Sequence, residues 1–504
     1  MAGAAKIFAV ADAIQKDVDA ELATRGLGYK KLSLDAKLKA FTEIAAERMA
    51  GTLGLTFAQL RPHITDFIGF GPSIYEHHHT MDVAKKASFL GLTGVELHSV
   101  DLGGASTPAA LEIARRLCTQ EERLVLIAGA EVPRGGDGGV RYYREVSDAL
   151  LDENTELHTQ ANLISLYALL ADRLMFETGI SVADVEAITS FYRGCAIDNP
   201  RAAMHAKHLK AGELQRYLAG VYATAMVAVA TDHGVAILVA SETLLTRLEK
   251  QLGFNAAEKG LYINAVGTNY GQKYLSHRSD FSSPAGLAGK RAFARAGIHP
   301  GDIDYAWIYD CFTLMLVRQA ADYFGIEPRT AAKSLHAGFL EIAGKKIRVN
   351  AQGGILNTQA AISLSAATGL IDIFDFAQKN PAAQHFFFGG NGGIDCVNSA
   401  AILSRSPLPL QNLPGTAAHT PAAERSLPAE GESALLYAAA IVRFNPGSDT
   451  PFVLGCFRRK NGSLFLARIA GSAGEMRSDT AGLIHDSTRV RFAYHDGKPL
   501  AFVI

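Results

Sequence analysis

The feature that most constrains the fold of this chain is an internal repeat. Residues 34–53 place apolar side chains at helical spacing, and GLTFAQLRPHITDFIGFG then supplies a turn and a short apolar strand. The same order returns in SSPAGLAGKRAFARAGIHPGDIDYAWIYDCF, where Gly297 and Ile303 are as far apart as Gly54 and Leu60. A repeat this long is far beyond the period of a solenoid, so it predicts a duplicated α/β unit.

Each copy continues with a Gly-Gly turn, a helix and an apolar strand. DLGGASTPAALEIA and LVLIAGAE in the first copy correspond to NAQGGILNTQAAISLSAATGL and HFFFGGNGGIDC in the second. Folds with parallel strands keep their chemistry in the loops at the strand ends. We therefore expect both Gly-Gly turns to lie near one site.

The segment from His98 to Glu131 predicts a polar loop aimed at a helix N-terminus. Thr107 is expected to cap the helix and Pro108 to start it, and Leu124 to Ala128 predict a buried strand. The unpaired N–H groups of a first helical turn favour an anion or an activated nucleophile. This loop contains no cysteine that could use that position.

Changes in composition predict five regions along the chain. LHTQANLISLYALLADRLMFETG is strongly helical, AMVAVATDHGVAILVASET predicts a pair of strands, and prolines cluster before four short strand-like segments near the end. The predicted regions are the first half (1–136), an inserted loop region covering the site (137–216), the end of the first half with the second half (217–405), a Pro-rich linker (406–433) and a small β-barrel-like domain (434–504).

Charge and cysteine content exclude several classes of partner and environment. Lys+Arg 49 against Asp+Glu 50 gives a formal net charge of -1, which provides no overall attraction to nucleic acid or to an anionic membrane. The five cysteines are scattered and form no CxxC pair, as expected of reduced thiols. No leader segment and no membrane-spanning stretch is evident, so we expect a cytoplasmic protein.

Three motifs resemble the thiolase superfamily, particularly sterol-carrier-protein-like thiolases and type-1 thiolase-like proteins with an additional C-terminal domain. They are AGIHPGDIDYAWIYDCF, TDHGVAILVAS and GGNGG. The resemblance covers residues 5–405, with 434–504 as the additional domain. It implies a five-layered αβαβα core of two mixed sheets around central helices, an acyl-CoA site at the strand ends, and a homodimer.

The resemblance does not extend to the catalytic residues of the superfamily. Gly104, or Gly103 if the alignment slips by one, stands where the acyl-accepting cysteine is expected, and Ala360 stands at the histidine. The second cysteine would fall near Phe387, and Tyr309 replaces the Asn or His of the third motif. Thiolysis needs a thiolate, a base and oxyanion donors, and glycine supplies no side-chain group for any of these. The sequence therefore predicts a degenerate thiolase site.

Tyr309, with Asp310 and Cys311 beside it, is the predicted catalytic group; the alternatives are a packed strand tyrosine and a small structural cysteine. A second set is predicted to bind the CoA thioester, through backbone N–H groups or close ligand approach, with ordinary turn or capping chemistry as the alternative. That set is Gly103, Gly104, Ser106, Gly353, Gly354 and Gly390.

No metal site is predicted. The run of three histidines at 77–79 is expected to be a solvated loop, because consecutive residues do not easily converge on one ion. His205 and His208, at i and i+3 of a predicted helix, give only a weak metal signal.

These observations leave three hypotheses for function. The first is a thiolase-fold protein that binds acyl-CoA, of the acetyl-CoA acetyltransferase-like group but without standard thiolase chemistry, and with no tightly bound cofactor. The second is a retro-aldolase that cleaves a β-hydroxyacyl-CoA using Tyr309, since that reaction needs no cysteine. The third is a non-catalytic subunit that binds a protein partner through its C-terminal domain.

Overall fold

The computed structural model describes residues 4–70, 81–134, 140–256, 259–409, 411, 426–444, 450–470 and 486–504. The helices are α1 (Gln15–Thr24), α2 (Leu34–Gly51), α3 (Phe57–Leu60), α4 (Asp82–Phe89), α5 (Ser106–Gln120), α6 (Val140–Leu150), α7 (Leu163–Thr178), α8 (Val182–Ile197), α9 (Glu242–Leu252), α10 (Ala285–Ala296), α11 (Thr313–Phe324), α12 (Pro328–Leu335), α13 (Gly354–Asn357) and α14 (Ala367–Lys379).

The strands are β1 (Ala5–Ile14), β2 (Asp66–Phe70), β3 (Glu96–Val100), β4 (Leu124–Glu131), β5 (Tyr217–Ala219), β6 (Tyr222–Ala223), β7 (His233–Ser241), β8 (Leu261–Tyr270), β9 (Tyr305–Ile308), β10 (Phe339–Ile342), β11 (Lys345–Val349), β12 (His385–Gly392), β13 (Val397–Ser404), β14 (Ser433–Val442), β15 (Phe452–Arg458), β16 (Leu464–Ile469), β17 (Arg489–His495) and β18 (Lys498–Val503). The histidines at 77–79 and most of the predicted linker, 410 and 412–425, lie outside the described residues.

The large sheet confirms the predicted duplication. Its order is β10-β11-β9-β12-β13-β8-β1-β7-β4-β2-β3. In the first half β2 is parallel to β3 and β4, and β7 is antiparallel to β4 and β1. In the second half β9 is parallel to β11 and β12, and β13 is antiparallel to β12 and β8. The halves join through a short antiparallel pairing of β1 with β8, at Lys6↔Tyr262 and Ile7↔Leu261.

The two halves of this sheet form the two β layers of the predicted αβαβα core, although they are joined into one sheet rather than being two separate sheets. Helices lie between the two halves and outside each of them. α2 covers the outer face of β1, β4 and β7, while α10 covers β8 and β13 and packs on α11. Between the two halves, α5 contacts β7 of one half and β8 and β12 of the other, and α14 contacts β9 and β1. α5 carries Leu111, Ala114 and Cys118 into this central core, where each is fully buried. The central helices therefore bring the loops of both halves together.

The last strands form a small barrel, as the C-terminal sequence pattern predicts. β14 pairs with both β15 and β17, and β15-β16-β18-β17 complete a closed ring around buried phenylalanines such as Phe457, Phe465 and Phe492. The β5–β6 hairpin extends this sheet by pairing with β14 at Ala219↔Val442. The barrel packs on α7, where the Asn162 side chain donates to the carbonyl of Phe444 at 2.7 Å. None of the described helices is long and apolar enough to cross a bilayer.

Two local predictions were wrong. Residues 225–243 contain one strand, β7, rather than a pair, because the preceding segment makes only isolated bridges, Val227 to Phe312 and Ala230 to Ala360. The residues around His205 form turns rather than a helix, and the His205 Nδ1 bonds the carbonyl of Ile197 at 2.8 Å.

Candidate functional site

The two Gly-Gly turns meet on either side of one dipeptide, Tyr309–Asp310, which follows β9. A side chain on Gly104 would overlap the ring of Tyr309 and the carbonyl of Asn391, and a side chain on Gly354 would overlap the carboxyl group of Asp310. Both turns therefore lie against the same dipeptide, as the repeat predicts. The duplication explains it, because each turn comes from the same position in its own half.

The ring of Tyr309 occupies the space that a side chain at position 104 would need. An ideal Cβ on Gly390 would also lie only 2.7 Å from the carbonyl oxygen of Gly104. The first Gly-Gly turn is thus held closely between Tyr309 and β12. Close packing of the protein itself accounts for glycine at positions 104 and 390.

Tyr309 is almost fully buried, with 7% of its surface exposed. Its backbone N–H donates to the carbonyl of Gly389 at 3.1 Å, and its hydroxyl bonds the side chain of Ser365. Burial raises the pKa of the Tyr309 phenol well above its usual range, and the nearby Cys311 adds to this rise. The side chain is therefore a neutral phenol at physiological pH, able to donate one hydrogen bond and accept another.

Asp310 lies behind the site rather than in it. Its Oδ1 accepts a hydrogen bond from the backbone N–H of Ile355 at 2.7 Å, and its Oδ2 has no partner among the described residues. Burial raises the pKa of this carboxyl group well above its usual range. Asp310 therefore stabilises the turn at Gly354. Its predicted catalytic role stays a prediction.

Cys311 has a thiol unsuited to nucleophilic attack. Burial raises its pKa above the ordinary value, and the thiol bonds the hydroxyl of Tyr167. The thiolate is the reactive form of cysteine, and a raised pKa keeps it scarce. Cys311 is therefore placed as a neutral polar group beside Tyr309.

A mostly apolar cavity of about 80 Å³ opens at Tyr309. Its polar side chains include Tyr309, Cys311 and Ser365, and Ala360 lies in its wall where the superfamily histidine is expected. The other lining residues are Tyr143, Val146, Leu163, Ile164, Val227, Ala228, Ala230, Phe312, Ile355 and Ile362. α6 and α7 thus contribute directly to the wall of the site.

Ser106 and the start of α5 differ from the expectation. The helix begins at Ser106, with Ala105 at the N-cap, so Thr107 is not the cap and Pro108 does not start the helix. The Ser106 hydroxyl accepts from the N–H of Leu102 at 2.9 Å and donates to the carbonyl of Gly103 at 2.7 Å. Because Ser106 is fully buried and its hydroxyl closes the turn, its predicted contact with ligand stays a prediction.

Phe387, near which the second superfamily cysteine is predicted to fall, faces away from Gly104. Its ring lies in the outer core, 5.7 Å from the ring of Phe293 and 4.8 Å from that of Phe324. Three residues later, Gly390 lies against Gly104. Side chains alternate along β12, and the register places Gly390 rather than Phe387 on the inner face.

Glu131 is a buried carboxylate that the sequence reasoning missed. It ends β4, and its Oε2 accepts from the N–H groups of Ser363 at 2.9 Å and Leu364 at 3.3 Å, next to the residue that bonds Tyr309. Burial raises its pKa to about 7, while the nearby Lys86 opposes the rise. One charged residue at the end of an otherwise apolar strand was the signal that could have revealed it.

A basic cleft of about 790 Å³ lies on the other side of the segment that walls the cavity. Ala228 and Ala230 line the cavity, whereas the alternate residues Val229 and Thr231 line the cleft. Among the described residues, the cleft also carries five basic side chains, Lys16, Lys30, Lys37, Arg134 and Lys207, against one acidic side chain, Asp232. This concentration of positive charge suits a phosphate-bearing ligand.

One cluster of the described residues has metal-ligand spacing, but an arginine already forms ion pairs with its carboxylates. Asp66, Glu96 and His98 lie close together on β2 and β3. The guanidinium of Arg123 lies 3.0 Å from the Glu96 carboxylate and 3.5 Å from that of Asp66. The cluster is therefore an ion-pair network at the edge of the sheet.

Comparison with known proteins agrees with this architecture. Residues 267–405 match the family described as thiolase C-terminal domain-like. This segment of the chain is therefore thiolase-like. The fold of the chain is similar to that of a monomeric SCP2-thiolase-like protein type 1 from Mycobacterium smegmatis, with a TM-score of 0.71, 17% identity, and coverage of 99% of this chain and 98% of that one. It is also similar to the Ltp2-ChsH2(DUF35) aldolase, with a TM-score of 0.59, 18% identity, and coverage of 80% and 98%.

Two curated relatives align with part of the chain. A steroid side-chain-cleaving aldolase from Thermomonospora curvata is 26% identical over 269 residues, which is 50% of this chain and 66% of that protein. A 17-hydroxy-3-oxo-4-pregnene-20-carboxyl-CoA lyase from Mycobacterium tuberculosis is 28% identical over 193 residues, 38% of this chain and 49% of that protein. The alignments thus span about half to two thirds of the relatives' own lengths.

Proposed function

We propose that this protein binds acyl-CoA thioesters and cleaves a β-hydroxyacyl-CoA by a retro-aldol reaction at Tyr309. The observation that carries the proposal is the packing of the Tyr309 ring into the space of a side chain at position 104. A cysteine cannot be placed there without moving both the ring and β12, so the acyl-cysteine step of a thiolase has no room. The names of the two curated relatives, an aldolase and a CoA lyase, support the same reaction class.

The neutral phenol of Tyr309 suits the two proton transfers of this reaction. Cleavage removes a proton from the β-hydroxyl, breaks the Cα–Cβ bond to give a thioester enolate and a carbonyl product, and returns a proton to the α-carbon. In one relay the phenol O–H bond breaks and its hydrogen passes to the α-carbon, and the oxygen, which becomes phenolate-like as this hydrogen leaves, takes up the proton of the β-hydroxyl. Ser365, which bonds the hydroxyl, orients it for both transfers.

The basic cleft is the proposed binding site for the phosphates of CoA. Segment 228–231 separates the cleft from the cavity, so the proposal requires the ligand to cross the edge of this segment. The cleft lysines supply charge-assisted hydrogen bonds to phosphate oxygens. Binding in the cleft is expected to weaken as the salt concentration rises.

The Tyr309→Phe variant tests the proposed chemistry. We expect the rate of carbonyl release from a 3-hydroxyacyl-CoA to fall by about 10²- to 10⁴-fold, the usual contribution of a general acid–base group. The affinity for an unreactive acyl-CoA, measured by thermal shift, should change little. Tyr262→Phe removes a phenol bonded to Glu242, remote from the cavity, and serves as the matched control.

Two results would overturn this proposal. If Tyr309→Phe cleaved the substrate as fast as the wild type, Tyr309 would lose its role. Rapid CoA-dependent thiolysis of acetoacetyl-CoA by the wild type would instead show that the thiolase reaction persists.

A second candidate function, binding of a protein partner through the barrel, is supported by exposed apolar side chains on its strands. Leu435, Phe502 and Val503 are among these, whereas other barrel residues pack on α7. A stable complex recovered from the native source, together with no binding of any CoA ester, would favour this function over catalysis.

A further inference from the structure

The cavity at Tyr309 sets a size limit on the part of the substrate that reacts. Its volume is about 80 Å³. An apolar cavity of about 150 Å³ is large enough to take up benzene. The space beside the phenol has about half of that volume, so it suits a short aliphatic chain better than a six-membered ring.

The wall of the cavity is built from the packed core. Phe312 is 2% exposed, and its ring centroid lies 4.4 Å from that of Tyr167 and 4.8 Å from that of Tyr222. Ile355 and Ile164 are similarly buried, at 1% and 4%. A closely packed interior deforms only at a cost in free energy. A substrate group larger than the cavity would therefore have to push apart the helices and loops that carry these side chains.

Backbone hydrogen bonds tie the opposite wall together. The N–H of Ala228 donates to the carbonyl of Cys311 at 2.9 Å, and the N–H of Thr231 donates to that of Ala360 at 3.1 Å. Segment 227–231 is thereby held against both the Tyr309 loop and the 359–362 segment. Widening the cavity on this side would break these two backbone hydrogen bonds.

We propose that the site is selective for short-chain CoA thioesters, with an acyl or 3-hydroxyacyl chain of about two to four carbon atoms, and excludes long chains and fused rings. The proposal rests on the proposed function and names its substrate class. It differs from the steroid substrates that the names of the two curated relatives indicate. The apolar lining selects an aliphatic chain, and Tyr309 and Cys311 receive its oxygen.

The test is a chain-length series of dissociation constants by isothermal titration calorimetry with acetyl-, butyryl-, hexanoyl- and octanoyl-CoA. Each buried methylene tightens binding by about fourfold, so butyryl-CoA should bind more tightly than acetyl-CoA. From hexanoyl-CoA onward the trend should reverse, and octanoyl-CoA should bind at least about tenfold more weakly than butyryl-CoA.

A variant with an enlarged cavity tests whether the cavity sets the preferred chain length. Ile362→Ala removes a half-buried wall residue and should move the optimum toward hexanoyl-CoA. Ile371→Ala is the matched control, because Ile371 lines a separate cleft beside Asp372, and the optimum should not move.

Equal affinity of the wild type for octanoyl- and butyryl-CoA would overturn the size limit and leave the proposed function intact. Failure of every CoA ester to bind would overturn both. An unchanged optimum in Ile362→Ala, in a variant that still binds butyryl-CoA, would show that this cavity does not receive the acyl chain.

Discussion

At the residue scale, the site is defined by two positions, one of which lacks a side chain while the other fills the space. Gly104 leaves a gap in the first half of the fold, and Tyr309 from the second half fills it. Each residue taken alone looks unremarkable, a turn glycine and a strand tyrosine. Together they place a phenol at the point where the superfamily resemblance predicts a nucleophile.

Gly104→Ala tests this packing. The added methyl group would overlap the Tyr309 ring and the Asn391 carbonyl, so we expect the free energy of unfolding to fall by about 1–3 kcal/mol, as for other overpacked sites. Denaturant unfolding measures the change. Gly194→Ala is the control, because Gly194 lies exposed in α8 with open space around it, and there alanine should stabilise the helix by about 0.5–1 kcal/mol. Equal effects of the two substitutions would contradict the packing argument.

Glu131 predicts a pH dependence of stability. Burial raises the pKa of this carboxyl group from 4.5 to about 7, so between those values the folded chain binds more protons than the unfolded chain. Stability from this group is therefore greatest at low pH and falls as the pH rises to about 7. The full loss is of order 3 kcal/mol.

Glu131→Gln keeps an oxygen that can accept from Ser363 and removes the charge. We expect a smaller decrease in melting temperature between pH 5 and pH 8 in this variant than in the wild type. Glu153→Gln, at an exposed position, should leave the decrease unchanged. A wild-type pH dependence in Glu131→Gln would show that the burial of Glu131 has no energetic consequence.

At the element scale, α7 connects the site to the barrel. Its first turn carries Leu163 and Ile164 into the wall of the cavity, and its later residues pack on β14 and β15. The cap of the helix joins both, since the Asn162 side chain accepts from the N–H of Ser165 at 2.9 Å and donates to the carbonyl of Phe444 at 2.7 Å. The barrel is thus a structural support for one wall of the site.

Asn162→Ala should therefore lower the free energy of unfolding by more than the loss of an ordinary helix cap does. A lost N-cap alone costs about 1 kcal/mol, and the lost bond to the barrel leaves the carbonyl of Phe444 without this donor, which adds about 1 kcal/mol. The control is Ser181→Ala, which removes the N-cap of α8 at an exposed position. Equal free energies of unfolding in the two variants would mean that the contact with the barrel contributes nothing.

At the scale of the whole molecule, duplication and fusion organise the chain. Two copies of one α/β unit share a sheet through a two-residue pairing, and the central helices belong to both. The largest hydrophobic cluster continues from the second half through α7 and α8 into the barrel. The barrel and core are therefore expected to be one packed unit, although the predicted boundaries of the five regions stay predictions.

Much of this architecture could be predicted from the sequence, because repeated turns and periodic apolar residues are local signals. The repeat predicted the two matching halves, the 34–53 pattern predicted α2, and the C-terminal alternation predicted the barrel strands. The local signals failed where tertiary contacts decide the conformation. Segment 227–231 bonds to two other loops instead of pairing as a strand, and Ser106 begins α5 because its hydroxyl closes the Gly103 turn.

By itself, the sequence determined the duplicated thiolase-like core, and it predicted the loss of the superfamily side chains and the choice of Tyr309 as the residue of interest. Only the tertiary structure decided that Tyr309 fills the space beside Gly104, that Asp310 lies behind the site, and that Glu131 approaches it. The physical reason is that the repeat and the side-chain types are properties of the chain read in order. Volume, burial and pKa depend on residues more than 200 positions apart that the central helices bring into contact.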